Sequence, residues 1–270
     1  MNSNLLESSA SELLSEALAN VSGTVHLLNP AAETLEAAVD ALGATDDVSV
    51  RLLGDERMLK DVFDDFIVAS SAADLVDDGR LALRTFEEST NTLLVTDEAV
   101  MAVVDAGDMV AGLVTDDGEF VERAREQYGD AWEAAPEYNL RTPPISRVRE
   151  SLSAEIGDDV ADDFEGVLSS LETARGDGNG LSEVTISLLV AAKNEELLYD
   201  ISKWGEDVGI ASKATFSRTK TRMEEMGLID TEKVPIDVGR PRLRLVLGDE
   251  RLRGAENSEL TNVAQSLLAS

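Results

Sequence analysis

A strip of basic residues in the last third of the chain could bind a polyanion. Between residues 208 and 223 the sequence VGIASKATFSRTKTRM contains no Asp or Glu, while Lys213, Arg218, Lys220 and Arg222 fall close together. The ammonium and guanidinium groups of these side chains donate hydrogen bonds to phosphate oxygens and to the edges of bases. Because the whole chain carries 54 acidic and 23 basic residues, this local positive charge predicts a partner with phosphate groups.

The sequence around the strip predicts three helices and one tight turn. LSEVTISLLVAAK and EELLYDISKWGEDV read as two helices, Gly209 to Ala211 as the turn, and Ser212 as the N-cap of a third helix that runs to about Met226. Two helices joined by a short glycine-containing turn form a helix-turn-helix, whose later helix enters the major groove of DNA. Seven apolar residues can pack beneath it: Ile201, Val208, Ile210, Phe216, Met223, Leu228 and Ile229.

The opposite face of the third helix supplies the predicted DNA contacts. Arg218 and Arg222 are candidates for contacts to bases or phosphates, and Lys213 and Thr221 for contacts to phosphates. Lys203, on the preceding helix, could reach a backbone phosphate or could point elsewhere. The predicted face also includes three hydroxyl side chains: Ser212, Thr215 and Ser217.

A β-hairpin is predicted directly after this helix, as the wing of a winged helix. In IDTEKVPIDVGRPRLRLVL two β-like runs flank a turn at residues 237–240, and the tip carries Arg240 and Arg242 around Pro241. Arginines on a narrow tip suit the negative potential of a narrow minor groove. Residues 213–244 include eight basic and five acidic residues, which favours DNA binding. The alternative is a winged helix that contacts protein.

The same residues carry a resemblance to a known family. LLYDISKWGEDVGIASKATFSRTK, followed by GLIDTEKVPIDVGRPRLRL, resembles the C-terminal domain of haloarchaeal transcriptional regulators of the TbsP type. The N-terminal part is similar to the sensor region of TrmB-like archaeal regulators, which resembles phospholipase-D folds and responds to sugars or related metabolites. The resemblance implies a role in central carbon metabolism. TrmB-like proteins usually have the DNA-binding domain first, whereas here it is last.

The first half of the chain alternates strands with helices. GTVHLLNP, VSVRLLGD and RLALRTFEE are predicted strands separated by helices, an order that implies a mainly parallel sheet. The shorter strands NTLLVTD, AVMAVVD and DMVAGLVTD indicate antiparallel additions, so the sheet is mixed. A helix from Leu5 to Val21, a helical stretch from Glu56 to Val76 and the helix GEFVERAREQYGDAWEAA are also predicted. The predicted fold class is α/β, with an N-terminal sensor-like domain and a C-terminal winged helix-turn-helix.

Breaks in these patterns predict the domain boundaries. Pro143 and Pro144 cannot continue a helix, and GDGNG at residues 176–180 marks a joint. Between them, apolar residues at steps of three and four predict one long helix or two short ones broken near Gly157. We predict four segments: an α/β sensor or assembly domain at 1–140, a helical linker at 145–175, a winged helix-turn-helix at 181–254 and an amphipathic helix at 255–270.

Residue types that support catalysis are sparse. The chain has no Cys and a single His, His26, which excludes thiolate chemistry and multi-histidine metal sites. His26 is followed by two leucines, so the H-x-K-x-x-x-x-D motif of phospholipase-D chemistry is missing, as are the glycine-rich nucleotide motifs. The pairs Asp64-Asp65 and Asp77-Asp78 could be a metal or phosphoacceptor site or a solvated acidic face. We predict no enzyme activity, no metal and no cofactor; an enzyme with an appended DNA-binding domain is the alternative.

A small metabolite effector is a candidate ligand of the N-terminal domain. Open α/β sheets bind ligands at the carboxyl ends of their parallel strands, which makes Asn29, Asp55 and Glu88 candidate ligand residues. Three further side chains could be either core residues or ligand contacts: His26, Trp132 and Trp204.

A homodimer is predicted because helix-turn-helix proteins usually read paired half-sites. Two apolar stripes could form its interface, one from Val148 to Leu171 and one in NSELTNVAQSLLAS. Both stripes could equally pack inside one chain.

The net charge of −31 and the presence of only six Lys predict a halophilic, archaeal source, because concentrated salt screens the repulsion between acids. An acidic mesophilic protein is the alternative. The sequence has no membrane-length apolar stretch and no basic start, so we expect a soluble cytoplasmic protein. The predicted function is a sequence-specific regulator of metabolic genes that binds double-stranded DNA. The competing hypothesis is a metabolite-binding or protein-bridging factor.

Overall fold

The structure is a computed structural model that describes residues 4–87, 91–171, 181–235 and 241–268. The chain divides into two compact units. The N-terminal unit comprises Met1–Asp64 and Ser71–Leu140, and the C-terminal unit comprises Asp65–Ser70 and Arg141–Ser270.

A seven-stranded mixed sheet forms the centre of the N-terminal unit. Its strand order is β1-β7-β6-β5-β2-β3-β4. The strands β2, β3 and β4 are parallel to one another, while the other pairings are antiparallel. The α/β class with a mixed sheet is therefore confirmed. The strand bounds are β1 Leu5–Glu7, β2 Gly23–Leu28, β3 Val48–Gly54, β4 Leu81–Thr85, β5 Leu93–Val95, β6 Val100–Asp105 and β7 Val110–Thr115.

Helices accompany this sheet at α1 Ala10–Ala19, α2 Ala32–Gly43, α3 Glu56–Val62, α4 Phe66–Asp77 and α5 Gly118–Ala134. On one face of the sheet, Leu28 and Val95 pack with Val121 and Trp132 of α5 in one buried cluster. Trp132 is thus a core residue of the N-terminal unit. Successive side chains of a strand point to opposite faces of the sheet, so residues two apart share a face. His26 of β2 therefore lies on the same face as Leu28, the face that α5 covers.

The prediction of a helix from Leu5 was wrong at its first turn. Leu5 and Leu6 lie in β1, which pairs antiparallel with β7 at the edge of the sheet. The helix begins after Ser9, whose side chain accepts a hydrogen bond from the backbone N–H of Glu12. A strand-pairing partner more than 100 residues away, together with this local N-cap, overrides the helical spacing of the leucines.

The predicted helical stretch from Glu56 to Val76 is two helices, α3 and α4. The break lies at residues 63–65, where Asp65 Oδ1 accepts a hydrogen bond from the backbone N–H of Ile67 at 2.9 Å. Asp65 is buried at 2% exposure, whereas Asp64 is exposed. The interpretation of this acidic pair as a solvated face was therefore wrong for Asp65, whose carboxylate caps α4.

The C-terminal unit is a helical domain with a two-stranded hairpin. Its central helix is α8, in which every residue from Val184 to Ala192 is buried. The predicted winged helix-turn-helix is confirmed, with α9 and α10 on either side of the turn and β8 and β9 as the wing. The bounds are α6 Ile145–Glu155, α7 Asp158–Leu168, α8 Glu183–Lys193, α9 Leu198–Val208, α10 Lys213–Glu225, β8 Ile229–Val234, β9 Arg242–Leu247 and α11 Asn257–Leu268.

The stretch predicted as a helical linker is two helices, α6 and α7, separated at Gly157. Val148, Leu152, Phe164 and Val167 are buried in the same core as α8. On α11, Leu260 and Ala264 are buried there too, and Val263, Leu267 and Leu268 pack against it. Both apolar stripes thus pack inside the chain. The glycine-rich joint at 176–180 lies outside the described residues.

A polar network joins α7, α8 and α11. Lys193 Nζ donates to Asp163 Oδ1 and to Asn257 Oδ1, each at 2.7 Å, and Asn194 Nδ2 donates to Asp163 Oδ2 at 2.8 Å. Burial alone would raise the pKa of the Asp163 carboxyl, but the hydrogen bonds from Lys193 and Asn194 hold the pKa below its usual value. Lys193 is therefore engaged in the fold and not in a basic surface.

The replacement Asp163→Asn should destabilise the protein by about 1–3 kcal/mol near pH 7, because Lys193 loses a charged acceptor. The folded pKa of Asp163 lies below its ordinary value of 3.8, so the carboxylate stabilises the fold above that pH and loses its contribution as the pH falls through the folded pKa. Denaturant unfolding of both proteins from pH 7 downward should show the difference shrinking below about pH 4. Asp162→Asn, an exposed neighbour on α7, is the control, and an equal loss in both variants would contradict this role.

Candidate nucleic-acid interface

The turn between α9 and α10 is built by local signals. Gly209 ends α9 in the left-handed conformation at φ +96°, a backbone angle that favours glycine. The backbone N–H of Ile210 then donates to the carbonyl of Gly205 at 2.8 Å. Ser212 is the N-cap of α10, and its Oγ accepts from the backbone N–H of Thr215 at 3.2 Å. The predicted turn and N-cap are confirmed.

A close approach between α9 and α10 fixes how the second helix is presented. A Cβ atom at Gly205 would lie 2.3 Å from Cζ of Phe216, which is fully buried. Beside it on α9, Trp204 is buried, and its Nε1 donates to Ser151 Oγ at 2.9 Å. Trp204 is therefore a core anchor. Sequence reasoning missed Gly205, since only the partner ring shows why glycine is needed there.

One exposed strip runs along α10, and we call it the recognition face. Each member lies three or four residues from another member, as one side of a helix requires. They are Ala214, Ser217, Arg218, Thr221, Arg222 and Glu225. The structure thus brings four of the predicted DNA contacts together and leaves them accessible. Ser212 and Lys213 are exposed at the N-terminal end of the helix, while Thr215 is half-buried.

Hydroxyl groups on α10 are engaged in local hydrogen bonds. Ser212 Oγ lies 3.1 Å from Thr215 Oγ1, and Thr221 Oγ1 donates to the carbonyl of Ser217 at 3.1 Å. Arg218 Nη2 donates to Thr215 Oγ1 at 3.4 Å. Within the described part of the chain, no ion pair joins Arg218 to a carboxylate. Among these residues the guanidinium of Arg218 has one long contact, to a neutral hydroxyl group.

Two lysines near the turn are paired with acids of α9. Lys213 Nζ lies 3.0 Å from Glu206 Oε2, and its backbone N–H donates to Glu206 Oε1 at 3.3 Å. These hydrogen bonds lower the pKa of the Glu206 carboxyl. Lys203 is paired with Asp207 one turn along α9, and this hydrogen bond raises the pKa of Lys203. Both pairs are exposed, where ion pairs contribute little to stability and can exchange for another anion.

Lys220, counted in the basic strip, has a structural partner. Its Nζ lies 2.7 Å from Glu224 Oε2, and Glu224 Oε1 accepts from Thr231 Oγ1 of β8 at 2.9 Å. The lysine side chain is mostly buried, with 13% exposure. Lys220 is therefore engaged within the fold, whereas Lys203 and Lys213 lie at the surface.

The wing is anchored to the start of α9. Arg242, predicted near the tip, is the first residue of β9, opposite Val234. Its Nη1 lies 3.4 Å from Asp200 Oδ1, and its Cζ lies 4.6 Å from the centre of the Tyr199 ring. The predicted tip residue Arg240 lies outside the described residues. An isolated antiparallel β-bridge between Leu197 and Arg244 also joins the residue before α9 to β9.

The carboxyl ends of the parallel strands hold two of the three candidate ligand residues. Asn29 adopts a positive φ of 44°, and its carbonyl accepts from Thr92 Oγ1 at 2.9 Å. Asp55 caps α3 by accepting from the backbone N–H groups of Arg57 and Met58, each at 3.0 Å. Glu88 lies outside the described residues. Asn29 and Asp55 thus shape the turns at this edge.

Within the described ranges, no group of three or more His, Asp or Glu side chains is arranged to hold a metal ion. Across the same ranges, none of the helices combines the length and the apolar character that a membrane crossing needs.

Comparison with solved structures finds distant likenesses. The chain is similar to TrmBL2, an archaeal chromatin protein described as showing a novel mode of DNA binding. The TM-score is 0.38 and the sequence identity 16%, and the match covers 51% of this chain and 55% of TrmBL2. The chain is also similar to NucT from Helicobacter pylori, with a TM-score of 0.34 and 12% identity over 50% of this chain and 98% of that one. No curated protein matches the sequence.

Two family models match the sequence, and together they cover nearly all of it. Residues 2–143 match the N-terminal domain of TbsP-like transcriptional regulators. Residues 144–265 match the C-terminal helix-turn-helix domain of the same regulators. The chain therefore belongs to the family of TbsP-like transcriptional regulators.

Proposed function

We propose that the protein binds double-stranded DNA sequence-specifically and regulates metabolic genes, with α10 in the major groove. The observation that carries this proposal is the recognition face, where Arg218 and Arg222 stand beside Ser217 and Thr221 on one exposed side of a helix. Arginine recognises guanine through two parallel hydrogen bonds. Serine and threonine hydroxyl groups can hydrogen-bond to several different bases or to phosphates.

Phosphate contacts flank this face. Lys213 at the start of α10 and Lys203 on α9 each exchange an exposed carboxylate partner, Glu206 or Asp207, for a DNA phosphate. The N-terminus of α10 adds its own partial positive charge, and Ser212 and Thr215 lie there. Arg242, with Arg240, extends the contact from the wing toward the minor groove.

Binding of the full chain to genomic duplexes over a range of salt concentrations tests this function. For a DNA-binding protein, the logarithm of the binding constant falls linearly with the logarithm of salt, because phosphate contacts release counterions. Selective binding to some duplexes with such a slope supports the proposal. Binding to a partner protein with no DNA affinity at any salt would instead support the protein-bridging alternative and contradict the proposal.

The protein acts as a homodimer in this proposal, because paired half-sites require two recognition helices. The two predicted stripes pack against the core of one chain, which favours an interface elsewhere. On the sheet, Leu6 and Val104 both lie opposite Ala111 of β7, so they share one face with Leu113. These three side chains are 61%, 44% and 49% exposed, and they form an apolar patch on a highly charged protein that a second copy would cover.

The replacement Leu113→Glu should convert the dimer to a monomer and weaken binding to a two-half-site duplex at least tenfold, because like charges meet across a two-fold interface. Light scattering gives the mass and fluorescence anisotropy the affinity. Val76→Glu, at an exposed apolar position of α4, is the matched control. A Leu113→Glu protein that remains dimeric would contradict this interface.

The N-terminal unit responds to a small metabolite in this proposal, and the protein has no enzymatic role. The acidic surface suits a halophilic archaeal cytoplasm, since concentrated salt screens the repulsion among the acids. Mapping of bound genomic sites with and without a sugar carbon source identifies the target genes. Occupancy that is independent of the carbon source would contradict the metabolic part of the proposal.

A further inference from the structure

A cavity of about 210 Å³ lies in the N-terminal unit, apart from the recognition face. Its lining includes His26 of β2, Arg51 of β3, Arg125 of α5 and Asp97 after β5, with the hydroxyl residues Thr24 and Thr96. The register of the sheet sets His26 directly beside Arg51 on one side and Val95 on the other. The cavity is therefore built from rigid strands and one long helix.

The charge of this cavity is opposite to that of the chain. His26 and two arginines that are exposed to solvent, Arg51 and Arg125, line it, while the chain as a whole has a net charge of −31. Asp97 is the one carboxylate in the described lining, and its Oδ1 pairs with Arg125 Nη2 at 2.9 Å. Arg51 Cζ lies 5.6 Å from the centre of the Trp132 ring, which orients its side chain. A positive cavity in so acidic a protein favours an anionic ligand.

His26 provides a second, independent observation. Its Nε2 is buried and has no hydrogen-bond partner among the residues that the structure describes. Buried polar atoms are nearly always paired in folded proteins, so this unpaired imidazole nitrogen beside the cavity is a group that can respond to a bound charge. Burial lowers the pKa of His26, and the charges of Arg51 and Arg125 lower it further. An anion in the cavity would oppose this lowering of the pKa, because its negative charge favours the protonated imidazole.

We propose that this cavity binds a small oxyanion, the phosphate or carboxylate group of a compact metabolite, with Arg51 and Arg125 as charged donors and with His26 beside the site as the group that gains a proton on binding. The volume equals that of about seven water molecules, which fits a compact ligand and not a dinucleotide. Arg125 exchanges Asp97 for the ligand. The inference deepens the proposed metabolite response by assigning its site and ligand class. The site lies away from Asn29 and Asp55, at the other end of the strands.

Calorimetric titration of the full chain without DNA tests the site. The probes are inorganic phosphate, glycerol 3-phosphate and acetate at constant ionic strength, with chloride as the control. We expect phosphate-bearing or carboxylate probes to bind and Arg51→Ala and Arg125→Ala each to weaken that binding at least tenfold. Tighter binding of glycerol 3-phosphate than of phosphate identifies a metabolite, and the reverse order identifies the free ion.

Two further variants separate a ligand site from a structural cluster. Asp97→Asn should tighten binding, because it frees Arg125, and a damaged fold cannot mimic a gain of affinity. Arg123→Ala is the control, since Arg123 is an exposed, ion-paired arginine on the same helix outside this cavity. No binding beyond chloride, or wild-type affinity in the Arg51 and Arg125 variants, would overturn the proposal. Because DNA is absent, this failure is distinct from a failure of DNA binding.

The pH dependence of binding gives a third readout. Sulfate, whose charge is constant between pH 5 and 8, should bind more tightly as the pH falls, because bound anion raises the proton affinity of His26. Arg51 and Arg125 oppose this protonation, and Asp97 favours it. His26→Gln should bind with little dependence on pH. An equally steep dependence in that variant would contradict the assignment of His26.

Discussion

Alanine in place of Arg218 should weaken binding of the full chain to its specific duplex about 5- to 150-fold, the range expected from 1–3 kcal/mol for an arginine–guanine contact. Arg218 is exposed at the middle of the recognition face, and its one hydrogen bond among the described residues is a 3.4 Å contact with Thr215. Its loss should therefore leave the stability of the fold unchanged. Fluorescence anisotropy with labelled duplexes measures the affinity, and denaturant unfolding checks the stability.

Arg57→Ala is the matched control for Arg218→Ala, because it removes the same charge from an exposed arginine of the N-terminal unit. A general electrostatic effect would weaken both variants alike. If Arg218 contacts a base, its variant should also discriminate less between the specific duplex and one with a changed base pair. Unchanged affinity and unchanged discrimination in Arg218→Ala would contradict a role of the recognition face in DNA binding.

The replacement Gly205→Ala should destabilise the C-terminal unit by about 1–3 kcal/mol and reduce DNA affinity with it. Alanine is favoured over glycine within a helix by about 1 kcal/mol. Here that gain is outweighed, because the new Cβ would lie 2.3 Å from a ring atom of Phe216, which is fully buried and cannot swing into solvent. The ring must shift, and α10 shifts with it. Denaturant unfolding of the full chain measures the loss.

Gly129→Ala separates the steric effect from helix propensity. Gly129 lies within α5, and a Cβ there meets nothing within 4 Å. That variant should be more stable than the wild type by about 0.5–1 kcal/mol. If Gly205→Ala were equally stabilised, the close approach between α9 and α10 would not govern how the recognition helix is presented.

Signals within a few residues of each other predicted the core of the candidate site. Gly209 at a left-handed position, Ser212 as N-cap and the apolar spacing of Phe216 and Met223 locate the turn and the third helix from sequence alone. Such caps and turns depend on local backbone geometry, so they can be predicted from the residue types at a few neighbouring positions. The alternation of strands and helices in the first half was predicted for the same reason.

Features that depend on distant partners escaped prediction. Leu5 and Leu6 have helical spacing, yet pairing with β7 makes them a strand. Lys193 is paired with Asp163, which lies 30 residues earlier in the chain and on another helix. Gly205 carries no sequence signal apart from being a glycine inside a helix. In each case the deciding contact joins residues that are not neighbours in the local pattern.

The cavity around His26 shows the same limit. The rule that ligands bind at the carboxyl ends of parallel strands indicated Asn29, whose carbonyl accepts from Thr92, and Asp55, which caps α3. Nothing in the spacing of His26, Arg51 and Arg125 indicates that a sheet register and a helix bring them together. The solitary histidine of the chain was the one available signal, and the sequence left it open between core and ligand roles.

The presence of the recognition face in the major groove can be measured directly, because the chain has no cysteine. A Ser217→Cys variant carries one thiol on the exposed side of α10, to which a DNA-cleaving metal chelate can be attached. Ser15→Cys, exposed on α1, is the matched control. On a bound specific duplex, the Ser217 probe should cut both strands at a few positions facing one major groove per half-site, and the Ser15 probe should not. Uniform cutting, or no cutting by the Ser217 probe in a complex that still forms, would contradict the placement of α10 in DNA.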